Sequence, residues 1–499
     1  MRYLLASHTH HFWGPAILAT VVFGVLAAFG PMCALGQTPP PVPTPAVNPD
    51  RLPITTSSPE AAKLFEEGLR LSSDLHTEQA LAKLREATRK DPNFTQAWVY
   101  ILWTTSDPVE EKAAVEKALL TSQNATPGEK LLVKWLTSVE GGHFVDAITA
   151  MNDLLAMYPR DTELNFEAEV WLDGQREYEA AAKFGKRALA VDPNFVAVLN
   201  EIGYSFAGMR QYDQAIPYLK RYVDLEPGEP NTRDSLAEIL QKAGRLEDSL
   251  AEYREALKLD PKYYTSQMGL GNDYALLGKQ DRAREEYAKA LPMASTPQDK
   301  LDCEIQSAIT YAREGNTKQV RLELSAVLDE AAKLQLTEYR SYIHQELALL
   351  ADSPAAALRE LDEAEAVLRE PGPLSPAARN AALGRTLVFR ARIAAEAGNL
   401  EIARAAVARL QQMLQENHSY GNERCYHGAN GALLAAEKKT VAAIEELQQV
   451  PDEPFSMAKL AELQAAAGYT RDAAETRARL QADYRPSLGD WLVVRKFRP

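Results

Sequence analysis

Four prolines stand at Pro159, Pro193, Pro227 and Pro261, each 34 residues after the last. A fixed period of that length restricts a chain to stacked copies of one small unit. Each copy is too small to bury its own apolar face and must lean on its neighbours. Other residues keep step. With proline as the thirty-second residue, units begin at Ala61, Gly128, Thr162, Val196, Pro230 and Tyr264. The twentieth residue is then Ala80, Ala147, Ala181, Ala215, Ser249 and Ala283. The eighth is Gly68, Gly203, Ala237 and Gly271, and the eleventh is Leu71, Phe206, Leu240 and Tyr274. The twenty-seventh is Ala87, Ala188, Ala256 and Ala290, with Leu154 and Tyr222 as exceptions.

Helix packing accounts for this spacing. Residues eight and eleven share one stripe of a first helix; residues twenty, twenty-four and twenty-seven share a stripe of a second. Small side chains where the helices cross bring the axes to about 8 Å, and the larger neighbours fill the groove. Proline then stops the second helix, because it lacks an N–H and clashes with the preceding turn. Asp91-Pro92, Asp192-Pro193 and Asp260-Pro261 place a carboxylate beside that stop.

These residues resemble the tetratricopeptide repeat family, a 34-residue helix–turn–helix with this Gly/Ala/Pro skeleton. The resemblance covers Ala61–Met293; Thr95–Pro127 keeps Trp98 and Ala114 but is a residue short. It implies an all-α fold, a right-handed α-solenoid whose concave groove binds a peptide or a protein surface, and it implies no chemistry. In this family the second, fifth, ninth, twelfth and thirteenth residues of the first helix tend to face the groove. The matching positions here include Asn200, Tyr204, Asn231, Asp234, Glu238, Gln241, Met268 and Asn272, with Lys242 and Thr265 beside them. Such a mixture suits an extended peptide held by amide hydrogen bonds and a few apolar pockets; the bland alternative is a solvated inner wall. The family's Lys/Asn clamp for a terminal carboxylate is incomplete, since Asn200 and Asn272 lack the paired basic residues.

Beyond residue 293 the 34-residue prolines are gone but the turn persists. Gly244 and Gly278 are fifteenth in their units, where a first helix ends and glycine takes the left-handed conformation freely. The same pattern recurs at Gly315, Gly398 and Gly468, followed by Val320, Ala403 and Ala473 at the twentieth place. Units are expected near Leu301–Thr337, Gly384–Glu416 and Pro454–Arg485, with looser ones near Glu338–Pro371 and Glu423–Val450, ten or eleven in all. The expected organisation is a leader at 1–36, a Pro-rich linker at 37–58, a regular array at 59–298, a degenerate array at 299–485 and a tail at 486–499. Trp491–Val494 reads as a strand-like tail or a last half-helix, and the basic Arg495-Lys496-Phe497-Arg498 after it as a frayed end.

Ala16–Phe29 carries no charge, Arg2 precedes it, and Ala34-Leu35-Gly36 supplies small residues for a peptidase. This is the pattern of a secretory signal peptide cleaved after Gly36. It predicts export to the periplasm or cell envelope, with an uncleaved inner-membrane anchor through residues 12–29 as the alternative. Gly30-Pro31-Met32 is a poor context for lipid attachment at Cys33. The prolines of Gln37–Ser58 favour an extended spacer.

Net charge is −14, and losing Arg2 with the leader would make it −15. That speaks against nucleic acid, which requires a basic face, and leaves a protein or peptide as the expected partner. A cleaved chain keeps two cysteines, Cys303 and Cys425, more than three units apart, so an internal disulfide is not expected. No phosphate loop, zinc helix or nucleophile elbow is present. Gly269-Leu270-Gly271 begins like a dinucleotide loop but sits inside a first helix, where Gly271 is a packing residue. Within 417–430, His418, Cys425 and His427 are the one grouping that suggests a soft metal or an enzymatic site; the plainer reading is a long inter-unit loop running into a degenerate first helix. No catalytic residue, cofactor or metal is therefore assigned.

Overall fold

A computed structural model describes residues 51–73, 76–105, 107–140, 143–372, 374–417 and 419–498. The leader and the linker up to residue 50 lie outside them, as does His418. The described residues form helices and turns without strands, in twelve antiparallel helix pairs followed by one short helix. They divide into two compact units, one of residues 51–172 and 180–201, the other of residues 173–179 and 202–498. Within each unit, successive pairs pack one on the next.

The spacing read from the sequence does what helix packing requires. The twentieth-place residues Ala80, Ala147, Ala181, Ala215, Ser249 and Ala283 are all fully buried. Residue eight faces residue twenty-four of its own pair. A Cβ on Gly203 would stand 2.8 Å from Leu219, and one on Gly271 would stand 2.3 Å from Tyr287. Both are far inside van der Waals contact, so only glycine permits that crossing distance. Ser249 replaces the usual alanine and donates its hydroxyl to the carbonyl of Ala237, at 2.8 Å.

Each regular second helix ends two residues before its proline, at Lys90, Met157, Val191, Leu225 and Leu259. The Asp-Pro pairs also build a turn. Asp91, Asp192 and Asp260 accept the backbone N–H two residues on, at 3.0, 3.0 and 2.9 Å. This aspartate turn satisfies an amide that the broken helix leaves open.

The irregular unit Thr95–Pro127 is a true pair, Thr95–Thr104 with Pro108–Thr121, its first helix only 10 residues long. All five expected units beyond residue 296 are present, from Pro297–Arg313 with Thr317–Lys333 through Pro454–Ala466 with Thr470–Gln481. Gly315, Gly398 and Gly468 close their turns at φ of +79°, +76° and +85°.

Four expectations change, the first being the count, which rises from ten or eleven units to twelve. The first helix expected within 417–430 is present, but the loop before it is not long: Ser419 caps a helix that runs Tyr420–Ala436. The last residues do not fray. Ser487 accepts from the Asp490 amide and starts the helix Leu488–Val494, in which Leu488, Val493 and Val494 are buried. The close of the Pro-rich segment is not a free spacer. Leu52 is buried and donates its amide to Asp161 at 2.7 Å, while Ser57 donates to Asp91 at 3.1 Å. No helix among the described residues is long and apolar enough to cross a membrane.

Candidate interaction surface

First helices of consecutive pairs are tied by polar side chains one repeat apart. In the second unit, Ser205 donates to Asp173 at 2.8 Å and Tyr204 donates to Glu238 at 2.7 Å. One pair on, Ser266 donates to Asp234 at 2.6 Å and Gln241 donates to Asp273 at 2.8 Å. Asn231 bridges two tyrosines: it donates to Tyr222 at 3.1 Å and accepts from Tyr263 at 3.0 Å. Asn272 accepts from Tyr287 at 2.9 Å, and the sulfur of Met268 lies 3.4 Å from that of Cys303.

Seven of the eight residues singled out from the sequence thus fall on this ladder, within the second unit. The eighth, Asn200, belongs to the first unit, fully buried and 3.3 Å from Glu201. Asn200, Tyr204, Asp234 and Gln241 are buried; Asn231, Glu238, Met268 and Asn272 are half-buried and form the accessible part. Glu238 also receives Lys242 at 2.7 Å, and the Lys242 ammonium lies 5.4 Å from the centre of the Tyr204 ring. The wall therefore presents aromatic, acidic and amide groups already held in place by one another.

Burial dominates its electrostatics. It pushes the carboxyls of Asp234 and Asp273 up to about 7, against the hydrogen bonds from Ser266 and from Ser249 and Gln241 that would lower them. A different balance holds at Asp452. Burial alone would raise it, but Arg424 and Arg176 outweigh burial and hold it at about 2. Arg176 reaches that carboxylate at 2.5 Å.

Cys425 and His427 share one helix but do not converge. Cys425 faces Gly384 and Met413, and His427 contacts Glu446 at 2.6 Å. Among the described residues no three His, Cys, Asp or Glu side chains cluster as metal ligands would.

Sequence reasoning missed three residues. Arg176 and Arg210 hold the fifteenth place where later pairs mostly carry glycine, and both have φ of 60°. That conformation costs a non-glycine residue about 1–2 kcal/mol, and such outliers concentrate where structure puts them to use. Arg313, which donates to the carbonyl of Pro486 at 2.8 Å, is the third. For Arg176 and Arg210 the signal was legible as an arginine in a glycine column.

Residues 196–229 and 232–263 match the model of the tetratricopeptide repeat. Over these two stretches the chain is similar to the tetratricopeptide repeat. The TPR repeat-containing thioredoxin TTL4 of Arabidopsis thaliana is 34% identical over 73 residues, 15% of this chain and 11% of that protein, so the match spans about a tenth of the relative. Among solved structures, MamA is similar at 19% identity over 34% of this chain and 92% of its own, with a TM-score of 0.29. TTC0263, a thermophilic tetratricopeptide repeat protein of Thermus thermophilus, is 23% identical over 34% of this chain and 92% of its own, with a TM-score of 0.30. YrrB, described as a tetratricopeptide repeat protein with an unusual peptide-binding site, is 18% identical over 36% of this chain and 92% of its own, with a TM-score of 0.28.

Proposed function

We propose that this chain is a non-catalytic scaffold that holds a protein or peptide partner along the inner wall of its second unit. The observation that carries the reading is the half-buried row of Asn231, Glu238, Met268 and Asn272, placed by a repeat and fixed by a hydrogen-bond ladder. Preordered polar groups lose little freedom on binding, which is how a solenoid wall gains affinity for an extended segment. The accessible set mixes one thioether and one carboxylate with two amides. It suits a polar segment with an occasional apolar or basic side chain.

The leader pattern supports export, so the compartment we propose is the periplasm or cell envelope, with anchoring through residues 12–29 as the second form of the same reading. The test is quantitative capture from envelope extract with the wild-type chain and with Asn231→Glu plus Asn272→Glu. Two added charges on the accessible row should reduce partner recovery at least about tenfold, since like charges set against a partner's polar groups cost several kcal/mol. Recovery unchanged in a variant of unchanged helicity would sink the inner-wall reading.

A further inference from the structure

In a linear array each pair touches only its neighbours, and both units depart from that rule. In the second, Arg210 donates to the carbonyl oxygen of Ala482 at 2.7 Å. In the first, the chain ahead of Pro59 crosses the array against the order of its pairs. Ser57 donates its amide to Asp91 at 3.1 Å, and Thr56 donates its hydroxyl to the same carboxylate at 2.5 Å. Asp91 stands ahead of the second pair. Gln96, the second residue of that pair's first helix, donates its side-chain amide to the carbonyl of Pro53 at 2.5 Å. Leu52 reaches Gly128, at the start of the third pair. The Leu52 amide then donates at 2.7 Å to Asp161, which stands ahead of the helix beginning at Thr162. Residues 52–57 thus run from the second pair to the fourth.

The wall reads a main chain and offers one pocket. Proline fixes its own φ, brings no amide and keeps the residue before it extended, so Leu52-Pro53 arrives already shaped. The N–H at the front of this dipeptide and the C=O at its back are each taken by a side chain of the wall, Asp161 and Gln96. The Leu52 side chain is buried where a Cβ on Gly128 would stand 2.7 Å from it and 2.7 Å from the Tyr158 ring. A larger residue than glycine would fill that pocket. The other oxygen of Asp161 accepts the amide of Leu164 at 3.0 Å, so the acceptor is held in place by the array itself. A cleft lined by Phe65, Leu69, Tyr100 and Glu163 continues the same path beside Arg51 and Ile54.

We propose that this wall of the first unit is a reading surface for an extended segment carrying Leu-Pro, and that residues 51–54 of the chain are its resident ligand. The ligand is joined to its site by the few residues that lead into Pro59–Ser73, and such a short tether presents it at an effective concentration of about millimolar. A free peptide of ordinary affinity does not compete at that level. The first unit is therefore closed to outside segments, and partner capture falls to the second. The wall belongs to a different unit from Asn231 and Asn272, and neither site needs the other.

A fluorescent synthetic peptide of residues 48–54, titrated into full-length chains, is the test. Leu52→Asp sets a carboxylate beside Asp161 and empties the pocket without altering the wall. The peptide should bind that variant at least about tenfold more tightly than the wild-type chain, whose site is filled. A peptide carrying Leu52→Asp should bind the emptied variant at least about tenfold more weakly than the unaltered peptide does. If Leu52→Asp costs the chain its helicity, Leu52→Gly empties the pocket without a charge and takes its place in the comparison. Absence of binding to an emptied chain of native helicity overturns the reading surface, as does equal binding to the filled and emptied chains. No outside partner takes part, so failure here and failure of capture from envelope extract condemn different statements.

Discussion

Two stretches of this molecule punctuate their helices with different regularity. Between Pro59 and Met293, proline falls two residues past each regular second helix and stops it, helped at three sites by an aspartate that closes the turn. Beyond Pro297 that stop recurs at Pro371, two residues past Pro354–Arg369, and proline more often opens helices, as Pro59, Pro108, Pro127 and Pro230 also do in the first stretch. Pro297, Pro354, Pro376 and Pro454 occupy the first turn, behind caps at Thr296, Ser353, Ser375 and Glu453. Proline tolerates that place because the amide it lacks would have had no helical partner. What the two stretches share is the small or slender residue at the crossing: Ala215 and Ala283 in one, Val320 and Ala403 in the other, all fully buried. The packing stripe carries the fold, and the regular proline stop is the part that can lapse.

The strongest way to break this equivalence is to attack the crossing. Gly271→Leu drives a side chain into Tyr287 and should cost about 3 kcal/mol in urea unfolding, the upper range for overpacking. A loss below about 1 kcal/mol would mean that the crossing can spread, and that the stripe does not set the period.

Next in size is a dependence on pH. The buried carboxyls of Asp234 and Asp273 titrate near 7 in the folded chain, far above their unfolded value near 3.8. The folded state then holds more protons between those values, so stability falls as pH rises from about 4 to about 7 and levels off above. The shift sets an upper bound of about 4 kcal/mol per group on that fall. Asp234→Asn with Asp273→Asn should flatten the thermal midpoint between pH 5 and pH 7.5; a slope left unchanged rules these two groups out.

The smallest effects sharpen the comparison directly. Asp260→Ala removes the turn bond behind a stop, and Asn399→Ala removes the side-chain cap at the amide of Ile402. Each should lower stability by about 1 kcal/mol. Equal losses would support interchangeable punctuation; a marked excess at Asp260 would show that the proline stops do more than end helices.

Most of the fold was legible because it is local. Residues eight, twenty and twenty-four meet inside one pair, so a single 34-residue window contains both partners, as with Gly203 and Leu219. The irregular pair at Thr95–Thr121 was also visible through Trp98 and Ala114, although its short first helix hid the count. The candidate surface was only half legible. Family positions located Asn231, Glu238 and Asn272, but not that tyrosines from other positions would already hold two of them. The tail was misread for a deeper reason. Nothing near Leu488 announces the cluster of Leu301 and Ile305 it enters, because that meeting depends on how rotation between pairs accumulates along the unit. Repeat patterns specify each step and leave the sum of the steps unstated.

The contact of Arg210 with Ala482 has a bearing on how this protein comes apart. Open arrays melt from their ends inward, since a terminal repeat has one neighbour to lose and an internal one has two. Here the last pair is fastened to turns near the opposite end of its own unit, so it gains the second neighbour that end repeats ordinarily lack. Peeling from the C-terminus is thereby suppressed, and the pairs between residues 212 and 481 are bound into one cooperative melting block rather than a chain of separable steps.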